Sequence, residues 1–203
     1  LKDIDLLAAA AELGLCNVMI SVTSLDPAIH RTLEPRAPAP RKRLAAIRQL
    51  TAAGVPTFLS VSPVIPHITD HELEAILSAG AEAGAISAFF LPIRLPHEVA
   101  PLFRLWLERH YPDRAGKVMA TIRSLRGGRD NDPNFFGRMR GQGVWGKLFA
   151  DRFSLATRRL GLGRRGMDLR TDLFRPPSVA DDPQYRLFDE QADEQLTLLP
   201  KRG

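Results

Sequence analysis

The sequence predicts an α/β fold of parallel strands, followed by a helical basic C-terminal region and an extended tail. Two tandem apolar runs, Asn17 to Asp26 and Val55 to Pro66, each end in hydroxyl-bearing residues. This is the pattern of a buried parallel strand whose C-terminal end opens on a pocket. Between the runs, Arg41 to Ala53 has helical periodicity and completes a βαβ unit. The third observation is segregated charge. Residues 1–90 carry 7 basic and 9 acidic side chains, residues 91–175 carry 18 and 8, and residues 176–203 carry 3 and 6. A near-neutral α/β half thus precedes a basic block and an acidic tail, which points to an anionic partner for the block.

Taken in order, Asp3 to Gly14 places Ile4, Leu7, Ala8 and Ala11 on one helical face, with Gly14 as a stop. Cys16 to Ser21 is the first strand. Pro35, Pro38 and Pro40 enforce an extended loop before the helix whose Leu44, Ile47 and Leu50 face the sheet. After the second strand, Thr69 to Glu72 has the spacing of a capping box, and Leu73, Ile76, Leu77 and Ala81 supply the next buried stripe. Ala85 to Leu91 is a third strand, ending at Pro92. Beyond it Val99, Leu102, Phe103 and Trp106 form one helical stripe, and Val118, Met119, Ile122 and Leu125 another, with Asp113 placed to cap it. A glycine-rich stretch from Gly127 to Gly146 precedes a last helix carrying Trp145, Phe149, Phe153, Ala156 and Leu160. From Gly161 the prolines and acidic residues predict an extended, disordered tail. The expected divisions are 1–95, 96–161 and 162–203.

An apolar content of 44% over 203 residues suffices for a buried core. No segment is long and apolar enough to span a membrane and no secretory signal pattern opens the chain, so a cytoplasmic location is expected. A single cysteine excludes an internal disulfide framework and a self-contained cluster of cysteine-ligated iron.

Several residues in the α/β half carry a resemblance. Ser21 and Ser24, Glu34-Pro35, the Ala53-Gly54 turn and a strand ending in Ser62 before Pro63 together resemble the later half of a radical S-adenosylmethionine (SAM) barrel. The similarity is to the spore photoproduct lyase-like proteins, also called DNA repair photolyases, and covers about residues 1 to 95; from Arg94 to about Gly161 the chain is similar to a bacterial subgroup of them. The resemblance implies the later part of a partial (βα)6 barrel. It also implies a parent that binds SAM and a [4Fe-4S] cluster and generates a 5′-deoxyadenosyl radical. The family's three-cysteine loop has no match here. A chain beginning at Leu1 inside an apparent helix therefore reads as the C-terminal portion of a longer, lyase-like enzyme, and the portion alone is expected to hold no cofactor and no activity.

The resemblance places Ser21, Thr23, Ser24 and Ser62 at the SAM site, at the C-terminal ends of strands, where ligands of βα barrels sit. Hydroxyls both donate to and accept from a ribose or carboxylate; the alternative is that they close loops. Arg31, Arg36 and Arg94 stand where they could neutralise a carboxylate or phosphate, with Glu34 orienting one of the first two, or be simply solvated. Cys16 opens its strand, opposite the chemistry, and reads as a small core residue rather than a hydrogen donor. His67 and His71 have the i, i+4 spacing of a metal pair but fall in a loop and read as surface histidines. No metal site is expected.

In the basic block, Arg123, Arg126, Arg129, Arg138, Arg140, Lys147, Arg152, Arg158, Arg159, Arg164 and Arg165 interleave with Phe135, Phe136 and Trp145, a mixture suited to phosphate contact and base stacking. Of these, Arg138, Arg140, Lys147, Arg158 and Arg159 are the nucleic-acid candidates, set against a plain solvated helix face. Gln195 to Leu199 is similar to the peptide by which bacterial repair proteins bind the replication sliding clamp, and Gln184 to Phe188 is a looser match. The alternative from another class is a non-catalytic α/β module that binds nucleic acid or a repair partner.

Overall fold

Three strands, β1 (Val18–Ser21), β2 (Thr57–Val64) and β3 (Ser87–Pro92), form a parallel sheet in the order β1-β2-β3. The computed structural model describes residues 2–132, 134–163 and 168–174, apart from the side chains of 135, 136 and 138. The chain divides into two units, Leu1–Leu169 and Arg170–Gly203. Within the second, the described stretch is exposed and Arg170 pairs with Asp172 at 2.7 Å.

The register explains which strand residues meet helices. Ile20, Leu59 and Ala88 lie side by side across the sheet and join the core under α3 (Pro40–Ala52), α4 (Leu73–Glu82) and α8 (Gly143–Arg159). One residue further along, Ser21, Ser60 and Phe89 are aligned and point to the other face by the period of two. There Ser21 is exposed, and Met19 and Phe89 stay 48% and 36% exposed. The helix-covered face is therefore sealed and the opposite one is partly open.

Close packing on the sealed face depends on Gly80. A Cβ there would fall 2.5 Å from Leu59 Cδ2, so α4 lies nearer to β2 than any larger residue would permit. A second core sits over the strand exits. It joins Ile29 of α2 (Pro27–Leu33), Ile65 and Ile68 after β2, and Ile93 and Leu95 after β3 to Phe103 and Leu107 of α5 (Val99–His110) and Val118, Met119 and Ile122 of α6 (Pro112–Ser124). The α5–α6 hairpin thus packs on the loops that leave the C-terminal ends of the strands.

Five expectations need correction. Helix α2 lies where only an extended loop was expected: Asp26 accepts the Ala28 N–H at 2.7 Å and Pro27 fills the first helical position, a start signal legible as Asp-Pro. The Thr69–Glu72 capping box does not form. Thr69 Oγ1 instead accepts the Ile65 N–H at 2.9 Å, tightening the loop after β2, while Glu72 reaches across to the β1 loop. On α5 the buried residues are Phe103 and Leu107, and Val99 and Leu102 face outward, because the helix packs one edge against α6 rather than lying flat on the sheet. Helix α6 starts on Pro112 after Tyr111, which leaves Asp113 inside its first turn. Finally, the glycine-rich stretch contains α7 (Phe135–Arg140).

The other described helices agree with the sequence, while most of the tail expected from Gly161 lies outside the described residues. Helix α1 (Ile4–Glu12) half-buries Ile4, Leu7, Ala8 and Ala11 and ends at Gly14 with φ +70°. The α6 stripe Val118, Met119, Ile122 and Leu125 is buried, as is Phe149 of α8. Among the described residues no helix is long and apolar enough to cross a membrane.

Candidate functional site

The exits of β1 and β2 are joined by side chains. The pairing of these strands continues past Ser21 through the Val22 N–H to Ser60 O at 2.8 Å, and Thr23 Oγ1 then donates to Ser62 O at 2.9 Å. Ser62 lies in the irregular stretch between Val61 and Val64 where the ladder to β3 shifts register, and the bond to Pro63 is cis. A register shift of this kind turns a strand end out of the ladder and frees its polar groups for other partners.

Next along β1, Ser24 Oγ accepts the Asp26 N–H at 2.9 Å and the Leu25 N–H donates to Glu72 Oε1 at 3.2 Å. Thr23 and Ser24 are 3% and 2% exposed. Their bonds leave distinct capacities: Thr23 retains acceptor lone pairs, and Ser24, whose oxygen accepts, retains its proton to donate. Ser21 is exposed and takes part in a different joint. Arg43 Nη1 donates to Ser21 O at 3.0 Å and to its Oγ at 3.3 Å, Nε donates to Pro38 O, and Nη2 pairs with Glu34 at 3.1 Å. Sequence reasoning missed Arg43, which had looked like one more charge on an amphipathic helix; Glu34 orients it, and not Arg31 or Arg36.

The structure thus brings Thr23, Ser24 and Ser62 together and holds Ser21 nearby through Arg43. It does not bring the three candidate arginines to them by any hydrogen bond: Arg31 and Arg36 are exposed, and Arg94, exposed after β3, directs Nη1 at Met139 Sδ, 3.8 Å away. Glu72, read from sequence as a cap, is a residue of this end. Its Oε2 and the Nε2 of His30 on α2 are buried without a hydrogen-bond partner among the described residues. Orphaned buried polar atoms are uncommon, and these two belong to residues that flank the β1 exit.

These donors and acceptors suit SAM, whose ribose hydroxyls, carboxylate and ammonium need both kinds of partner. For a [4Fe-4S] cluster the described residues do not fit. No group of three or more His, Cys, Asp or Glu gathers among them, and Cys16 precedes β1 with its thiol directed at Leu7 O, 3.4 Å away.

His67 is no surface histidine. It is half-buried at φ +63°, its Nε2 lies 3.0 Å from Thr121 Oγ1 of α6, and its ring meets Trp145 of α8 edge-on at 5.0 Å. Burial, then the nearby Lys117, push its pKa down, against a smaller upward pull from Asp70. His71 is exposed.

The basic block is partly consumed within the fold. Arg126 is 2% exposed and donates to Pro92 O at 3.1 Å, Ile93 O at 2.9 Å and Gly137 O at 3.4 Å, closing the chain after β3. Arg104 and Arg123 both bind Asp130. Burial raises the Asp130 pKa, but hydrogen bonds from Arg104 and Arg123 outweigh it and hold the carboxyl below its usual range. Arg152 pairs with Glu74 of α4 at 2.6 Å and donates to Asp70 O, tying α8 to α4. Arg123, Arg126 and Arg152 are therefore structural. Of the nucleic-acid candidates, Arg140, Arg158 and Arg159 are exposed, and Lys147 is exposed but paired with Asp151. The Arg138 side chain, Arg164 and Arg165, the Gln195 to Leu199 segment and the Gln184 to Phe188 segment lie outside the described residues.

Comparison with known proteins places the first part of the chain in a superfamily. Residues 1–79, which include β1, β2 and the joint between their exits, match the radical SAM superfamily. Uncharacterized proteins of Mycobacterium bovis and Mycobacterium tuberculosis are each 34% identical over 124 residues, 60% of this chain and 36% of theirs. An uncharacterized protein of Methanocaldococcus jannaschii is 26% identical over 115 residues, 56% of this chain and 40% of its own. The chain thus spans little more than a third of the length of the curated relatives it matches. No solved structure matches it.

Proposed function

Starting from residues 1–79 as a radical SAM superfamily domain, we propose that the chain supplies the later barrel strands of a radical SAM enzyme of the spore photoproduct lyase-like group. The observation that carries this is the joint at the strand exits, where buried hydroxyls from β1 meet the displaced end of β2 in the matched segment. The superfamily implies SAM and a [4Fe-4S] cluster in the parent protein, and together they supply one-electron chemistry that removes hydrogen from unactivated carbon.

The contribution of this chain is binding and exclusion of water. Ser24 offers a proton and Thr23 offers lone pairs at the β1 exit, suited to the hydroxyls or the carboxylate of SAM. The bond from Thr23 to Ser62 O fixes the spacing between the two strand ends, and Arg43 fixes the conformation of Ser21. The apolar core beneath α5 and α6 keeps this end dry, which strengthens every polar contact made there. The thiolates that hold the cluster come from a part of the parent other than the described residues.

We extend the proposal to a nucleic-acid substrate, supported by the +10 balance of residues 91–175 and the exposed Arg140, Arg158 and Arg159. Reversing Arg158 and Arg159 should weaken oligonucleotide binding.

The primary test is iron and sulfide content after anaerobic reconstitution, with the protein extended upstream compared with the 203-residue chain. About four irons in the extended protein alone, with SAM perturbing the cluster spectrum, is the expected result. No cluster in the extended protein would reduce the likeness to one of fold.

A further inference from the structure

Helices α2 and α5 leave the sheet after β1 and β3, and their last turns meet at Trp106. Its indole N–H donates to Thr32 O of α2 at 3.0 Å, and its ring lies against Phe103 with centres 5.6 Å apart and 17° between planes. His110 and Tyr111 close around the same ring at 5.5 and 5.3 Å. Trp106 is therefore fixed in place, and the separation of the two helices is fixed with it. Along the seam runs an open groove of about 450 Å³ lined by Arg31, Thr32, Leu105, Trp106, Arg109 and His110.

The lining contains no carboxylate. Arg31 and Arg109 make neither an ion pair nor a hydrogen bond among the described residues, whereas Arg104, on another side of α5, is bound with Arg123 to Asp130. One structural role for basic residues here is to offset the helix dipoles, since Arg31 and Arg109 stand in last turns. Each helix end carries roughly half a negative charge, so the two together offset about one positive charge of the two guanidiniums. An unneutralised cation remains.

We propose that this groove binds the phosphates of a single-stranded nucleic acid and aligns the strand across the C-terminal end of the sheet. The guanidiniums present forked donors to successive phosphates, Trp106 gives an aromatic wall, and the open form of the groove suits a chain lying along it rather than an enclosed small molecule. The proposal rests on the nucleic-acid reading of the preceding section and adds where the strand is held.

The test is binding of a fluorescent single-stranded oligonucleotide to the full-length protein, followed by anisotropy from 50 to 300 mM salt, with no cofactor required. R31E/R109E should lower affinity at least tenfold near 100 mM salt. Its salt slope should shrink by about 1.4, the value for two phosphate contacts on a single strand. R31Q/R109Q should show the same direction with a smaller loss and guards against misfolding of the charge-reversed protein. R41E/R48E, which makes the same change of net charge on the exposed side of α3, should leave the slope unchanged. Equal losses in R41E/R48E and R31E/R109E, or unaltered binding by R31E/R109E, would overturn the groove while leaving the nucleic-acid reading intact. No measurable binding by the unaltered protein at 50 mM salt would overturn both.

Discussion

The strand exits and the arginine-rich helices are both polar regions, and they satisfy their polar groups differently. At the exits of β1 and β2, short hydroxyl side chains bond to backbone groups across 39 residues of sequence in one case and two in another, and remain buried. In the helical lobe, long arginines reach carboxylates or free carbonyls from other elements and are mostly left near the surface, Arg126 being the exception. The first arrangement leaves unused hydrogen-bonding capacity in a fixed geometry, as a ligand site requires. In the second, the guanidiniums fasten elements together.

The largest expected effect breaks the second arrangement at its buried member. Arg126→Ala removes the donor from Pro92 O and Ile93 O at the end of β3 and should cost about 3 kcal/mol, the scale for leaving buried charged-bond acceptors unpaired. Urea unfolding would measure it, and a loss below about 1 kcal/mol would show that water replaces the guanidinium without penalty.

A comparison inside the first arrangement separates binding groups from solvated ones. Thr23→Val keeps the shape but leaves Ser62 O without its donor, an expected loss of about 1.5 kcal/mol. Ser21→Ala should be nearly silent, because Ser21 is exposed and Arg43 still holds its carbonyl. Equal losses at the two positions would mean that the joint between β1 and β2 is no more than two loop contacts.

How much of this was legible differs between the regions for physical reasons. The strands and the stripes of α3, α4, α6 and α8 follow from periodicity, because burial on one face imposes it. Ser24 and Thr23 could be placed at a strand end from sequence, but their partners could not, since Thr23 bonds to a carbonyl brought near only by the βαβ crossover. Glu72 shows the limit of local motifs: Thr69-Asp-His-Glu72 has the spacing of a cap, yet Ile65 in the same loop takes the Thr69 hydroxyl and Leu25, far along the chain, takes the Glu72 carboxylate. The roles of Arg43 and Arg126 were illegible, because an arginine on an amphipathic helix looks solvated until a carbonyl from another element arrives. Helix α2 could have been found, since Asp26-Pro27 is a start signal that the three later prolines masked.

Asp130 allows a milder test of the fastening arginines. Asp130→Asn weakens both pairs and should cost about 1 kcal/mol at neutral pH, reduced from a buried pair's value because all three side chains remain partly exposed. Its carboxyl titrates below the unfolded value, so the stabilisation is present above that value and is lost as the pH falls through the folded pKa. The wild-type and variant curves should therefore converge in strong acid. A gap that persists there would assign the effect to packing rather than charge.

The smallest expected effect lies where the two regions touch. His67 belongs to the loop after β2, yet its ring rests on Thr121 of α6 and Trp145 of α8. Its pKa is depressed by burial and by Lys117 and Arg114, with Asp70 opposing, so the unfolded chain binds the proton more readily than the folded one. Stability from this joint is then complete above the unfolded value and declines as the pH falls through the folded pKa. His67→Asn tolerates φ +63° and removes the titration, so the difference in thermal midpoint between wild type and variant should narrow from pH 8 to pH 5. A constant difference would mean that the ring acts by shape alone. A widening one would show that the imidazolium is the bound form and that the strand-exit loop is held to the helical lobe more firmly in acid.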